Sequence, residues 1–160
     1  QEISEDNIES TLTEEFLHKY NLWIEDGGAT TINGFKKLPK EEQEFLLDYL
    51  NDLSVYERIT VNNQNYILVH SLPDNLQNGN DLNYQIEEII FGRPDFTASW
   101  NQEDIYIIGH TPTFKIPGAE SGKIYRRNNL IDIDCGCVTG HALCAYCIDT
   151  GETFYEPFFV

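Results

Sequence analysis

The chain has 160 residues, enough for one domain, and its 41% hydrophobic content is sufficient for a core. Ten Lys and Arg against 27 Asp and Glu give a formal charge of −17, which repels phosphate backbones and argues against nucleic acid as a partner. No run approaches the roughly 20 apolar residues that cross a bilayer, and the polar, acidic first ten residues do not read as a secretory leader, so no membrane role is expected.

After that acidic lead, Leu12, Phe16, Leu17, Tyr20 and Trp23 recur at helical spacing and predict a helix near 11–20. The Gly27-Gly28 pair is expected to break it, with Thr30 and Thr31 placed to cap the next segment. LPKEEQEFLLDYLNDL predicts a second helix. Pro39 stands near its first turn, Glu41 and Glu42 at the positive end of its dipole, and Phe45, Leu46, Tyr49 and Leu50 on its inward face. From residue 55 the period changes. VYERITVNNQNYILVH reads as a hairpin turning at Asn62 and Asn63. NDLNYQIEEIIFG predicts a third helix stopped by Gly92. A strand around 105–109, a loop over 111–122 and strands in KIYRR, LIDIDC and ALCAYCID follow, and a turn at Thr150-Gly151 leads to one more. The sum is an α/β domain over 1–160 whose apolar strand runs suggest a sheet covered on both faces.

Cys135, Cys137, Cys144 and Cys147 lie close together around His141, which invites a zinc reading. On a strand, however, Cys144 and Cys147 point to opposite faces, whereas paired zinc ligands come from tight turns. Reduced, partly buried thiols are the expectation, and reduced thiols favour the cytoplasm.

YILV runs straight into His70 and IYII, one glycine later, into His110. Each is a short apolar strand whose carboxyl end presents an imidazole followed by a small hydroxyl residue, Ser71 or Thr111. In open α/β sheets ligands gather at such ends. Strands lie about 4.8 Å apart, so two adjacent ends can give one metal two nitrogens, with Gly109 allowing close backbone approach. His70 and His110 are therefore candidate metal ligands. Two ligands do not complete a hydrolytic centre, which also wants Asp and further His.

Taken in order, WIEDGGATTINGF, YILVHSLP, IIFGRPDF, IYIIGHTPT and LIDIDCGCVTGHALCAYCIDTGETFY make the chain from about residue 20 onward resemble the metallophosphoesterases (calcineurin-like phosphoesterases), in their bacterial serine/threonine-type phosphoprotein phosphatase branch. The resemblance implies part of a two-sheet α/β sandwich with flanking helices and a centre of two divalent metal ions (Mn, Fe or Zn) that activates a water to attack phosphorus. It implies that His70 and His110 are metal ligands and that Arg93 grips the substrate phosphate, as a planar guanidinium does well. Ser71-Leu72 replaces the family's usual glycine and Phe91 its usual tryptophan; His141 receives no role. The family's amino-terminal boxes (Asp-x-His, Gly-Asp-x-x-Asp-Arg-Gly and Gly-Asn-His-Asp/Glu) do not occur here. Residues 1–160 are thus expected to be the carboxyl-terminal half of one catalytic domain, and a chain that starts at Gln1 and holds no methionine is expected to be part of a longer product. The expected substrate is a phosphorylated protein or a small phosphoester, with a complementary amino-terminal segment as partner. The alternative is a catalytically incomplete fragment that serves as a binding module, since half a sandwich exposes apolar surface.

Overall fold

Residues 12–74, 85–98 and 103–158 are described by a computed structural model of the chain. The acidic lead and the first residues of the predicted third helix, 80–84, lie outside them. The chain forms two compact units, Gln1–Leu53 and Ser54–Val160.

In the first unit, α1 (Glu14–Trp23) starts where Thr13 caps it, its Oγ1 accepting the Phe16 N–H at 3.1 Å. The glycine pair breaks the helix, as expected. Within Ile24–Gly28 both Asp26 (φ −86°, ψ 22°) and Gly27 (φ 99°) leave the helical region, and α2 (Ala29–Phe35) begins beyond this kink. Thr30 and Thr31 consequently lie inside α2 and are not caps. The adjoining Gly28 is required for a different reason, since a Cβ there would sit 2.5 Å from the Trp23 ring. α3 (Lys40–Asn51) follows Pro39, with Glu41 and Glu42 in its first turn as expected. Its predicted inward face is only partly covered: Leu46 is half-buried, while Phe45, Tyr49 and Leu50 remain exposed. Among the described residues of this unit Gly28 alone is buried.

The second unit is built on a five-stranded mixed sheet in the order β1-β2-β3-β5-β4. β1 (Tyr56–Val61) and β2 (Gln64–Val69) form the predicted hairpin, and Asn62 and Asn63 turn it at φ 52° and 62°, the left-handed pair that matches strand twist. α4 (Ile86–Phe91) lies in the crossover from β2 to β3 (Ile105–Ile108), its entry fixed by a capping box between Gln85 and Glu88. β3 runs parallel to both β2 and β5 (Leu130–Asp132), and β4 (Tyr125–Arg127) closes the edge antiparallel to β5.

Side-chain alternation splits the core into two faces. Ile67, Val69, Tyr106, Ile108 and Leu130 pack on one with Leu72 and with Ile89 of α4. Tyr66, Ile107 and Ile131 pack on the other, against Tyr146 and Ile148 among their neighbours. The expected two-faced cover is present, and LIDIDC does not continue into the same sheet as ALCAYCID. β6 (Ala142–Tyr146) and β7 (Thr153–Pro157) make a separate two-stranded sheet. Two left-handed glycines, Gly136 and Gly140 at φ 77° and 85°, carry the chain between the sheets. All four cysteines are free thiols, with Cys135 buried. No helix among the described residues is long and apolar enough to cross a membrane.

Candidate metal and phosphate site

Because β2 and β3 are parallel neighbours, their carboxyl ends lie side by side. His70 follows β2 directly and His110 follows β3 after Gly109, and His70 Nε2 stands 3.2 Å from His110 Nδ1. The rings meet at 63° with centroids 5.0 Å apart. Two cis ligands about 2.1 Å from a common ion are separated by about 3.0 Å in an octahedron and about 3.4 Å in a tetrahedron, so the 3.2 Å separation matches a shared ion in length, as it also matches a hydrogen bond between the two rings.

Local backbone makes this approach. The Gly109 N–H donates to His70 O at 3.0 Å, extending the ladder past β3. His110 then takes φ 68°, a left-handed conformation uncommon outside glycine. This corrects the expectation for Gly109: a Cβ there would meet its nearest neighbours, Asp134 Cβ and His70 O, at an ordinary 3.9 Å. The unusual backbone belongs to the histidine itself, at a cost of order 1–3 kcal/mol held by the surrounding structure. Burial, then the neighbouring His70, then the Arg93 guanidinium hold the His110 imidazole below its ordinary 6.5, against the opposing pull of Asp134. A depressed value keeps the ring neutral, the form that binds metal.

Arg93 enters through α4. Its N–H donates to Asp74 Oδ1 at 2.6 Å, which ties the residue after Gly92 to the segment after β2. Ser71, fully buried, fastens the same junction: its N–H donates to Ile89 O at 2.9 Å and its hydroxyl to Gly92 O. Gly92 has no room for more, because a Cβ would lie 2.3 Å from both Glu88 O and Leu72 O. Read in the sequence as a helix stop, it is in addition a packing requirement. Arg93 is exposed, and its field reaches His110, as does the edge of Phe91, at 6.3 Å between centroids.

One functional-looking group escaped the sequence reading. Asp132, fully buried at the end of β5, pairs with Ile108 at the end of β3. Its Oδ1 accepts the Asp134 N–H at 2.9 Å, and Asp134 Oδ1 in turn accepts the Gly136 N–H at 3.0 Å. Oδ2 of Asp132 has no hydrogen-bond partner among the described residues. Burial, reinforced by the Asp134 charge, pushes the carboxyl up to about 8. The alternation in LIDIDC was the signal, since it places Asp132 on the buried face of Leu130. The thiols behave otherwise. Burial and a hydrogen bond with Cys144 push Cys135 up to about 12, which makes it an unreactive packing group.

Among the described residues no group of three or more His, Cys, Asp or Glu side chains is arranged to hold a metal ion. No protein-family model matches the chain, and no curated protein matches it.

Proposed function

We propose that this chain is the carboxyl-terminal half of a metal-dependent phosphoester hydrolase domain of the metallophosphoesterase type, acting on phosphoserine or phosphothreonine. The observation that carries the reading is the 3.2 Å approach of His70 and His110 at two adjacent parallel strand ends, beside an exposed guanidinium. Two divalent ions held there and by ligands from an amino-terminal segment would supply the Lewis acidity and the activated water of an in-line attack on phosphorus.

The chain's own residues have narrower tasks. His70 and His110 are ligands, not bases, and must stay neutral. Arg93 binds the phosphoryl oxygens and offsets the charge that develops on them. Asp134, close enough to raise the proton affinity of His110, strengthens that ring as a donor to a cation. The mixed α/β architecture with a five-stranded and a two-stranded sheet is compatible with part of a two-sheet sandwich.

Manganese binding by the intact protein, followed by electron paramagnetic resonance, tests the ligand assignment. Wild type should bind, and His70→Ala and His110→Ala should each weaken binding at least tenfold. Equal affinity in all three proteins would remove the basis of the reading and favour a non-catalytic binding module.

A further inference from the structure

The stretch His70 to Asp74 leaves β2 with a candidate metal ligand at its first position and meets the end of α4 at three points. The Ser71 N–H donates to Ile89 O at 2.9 Å, the Ser71 hydroxyl donates to Gly92 O, and Asp74 Oδ1 accepts the Arg93 N–H at 2.6 Å. The last two bonds fall on a single peptide group. A peptide is planar. With its carbonyl held by Ser71 and its N–H by Asp74, the Gly92–Arg93 plane cannot turn, and the direction in which the chain enters Arg93 is set.

On its other side Arg93 precedes Pro94, which is buried. A residue before proline is confined to extended backbone, so the main chain at Arg93 is restrained from both directions while the side chain stays exposed. α4 could not supply this order alone. It has six residues, too few to persist as an isolated helix, and the last carbonyls of a helix find no partner within it. Ser71 gives partners to two carbonyls at this end, those of Ile89 and of the capping residue Gly92. Asp74 is exposed, whereas Ser71 is fully buried, so water does not compete for its hydroxyl. The Ser71 bond is the steadier of the two clamps.

We infer that Ser71 is a positioning residue, whose hydroxyl fixes the phosphate-binding Arg93 relative to the metal ligand His70. This assignment rests on the phosphoesterase reading above and deepens it, because it ties the phosphate arm to the strand end that carries the ligand and not to its own helix.

A double-variant cycle on the intact protein tests it, with manganese binding and p-nitrophenyl phosphate hydrolysis measured for wild type, Ser71→Ala, Arg93→Ala and the combined variant. Ser71→Ala should raise KM about three- to tenfold, the size of one lost hydrogen bond, with kcat and manganese affinity within about twofold of wild type. In the Arg93→Ala background the same change should raise KM no further, since its route to the substrate is gone. Ser71→Cys keeps the shape with a weaker donor and should give a smaller rise; it carries the cycle if Ser71→Ala does not fold. An unchanged KM, or an equal rise with and without Arg93, would overturn the assignment and leave the phosphoesterase reading standing. A loss shared by KM, kcat and manganese affinity would also overturn it, since that is the mark of a site loosened as a whole. No manganese-dependent hydrolysis by wild type would overturn both.

Discussion

Asp132→Asn isolates the energetic consequence of one buried carboxyl. In the folded chain this group loses its proton only near pH 8, against an ordinary 3.8. Between those values the folded state holds a proton that the unfolded state has released, so stability must fall as pH rises through the window. The full shift of roughly four units corresponds to at most about 6 kcal/mol, at about 1.4 kcal/mol per unit. Local relaxation and water entry around the charged form reduce this, and a loss of about 2–4 kcal/mol between pH 5 and pH 8 is expected. Asparagine keeps the shape and the acceptor for the Asp134 N–H, bound at 2.9 Å, but cannot ionise. Urea unfolding of both proteins from pH 5 to 8.5 reads the difference. Near pH 5 the two should be close, and at pH 8 the variant should be the more stable by about 2–4 kcal/mol. Parallel pH dependences would refute the argument that the carboxyl is buried without a counter-charge.

Other consequences follow from the same geometry. Since His110 adopts φ 68°, His110→Gly should be more stable than His110→Ala by about 1 kcal/mol in urea unfolding, while both lose the metal. Gly92→Ala drives a Cβ to 2.3 Å from two backbone oxygens, so it should lower stability by about 2 kcal/mol or more and displace Arg93, measured as a raised KM for a phosphoester. Because His110 is held below 6.5, metal-dependent activity should stay flat as pH falls to that value and decline only beneath it; a wild-type-like acid limb in His110→Ala would contradict the ligand role.

Periodicity carried much of the fold. The hairpin at Asn62-Asn63, the strand ending at Ile108 and the last turn at Gly151 were all legible, because each rests on local pattern and turn chemistry. The pairing of His70 with His110 was legible too, since two similar strand ends in an α/β chain tend to lie side by side. What escaped depends on distant partners or on backbone detail. Arg58 meets the buried Asp104 at 2.9 Å across 46 residues, and no local spacing announces that pair. The capping expected of Thr30 and Thr31 failed because α2 already begins at Ala29. Nor does sequence say that β5 and β6 part into different sheets, a matter of two left-handed glycines between them. Arg93 was singled out by resemblance alone, and the structure adds the Asp74 and Ser71 bonds that fix its backbone and that of Gly92.

The central claim is that His70, His110 and Arg93 belong to a metal-dependent phosphoester hydrolase. Manganese-dependent release of phosphate from p-nitrophenyl phosphate by the intact protein, compared among wild type, His70→Ala, His110→Ala and Arg93→Ala, tests it most directly. The account predicts activity that chelation abolishes, at least a hundredfold loss of kcat/KM for each histidine variant, and a smaller loss for Arg93→Ala that falls mainly on KM. Metal-independent turnover, or histidine variants as active as wild type, would contradict it.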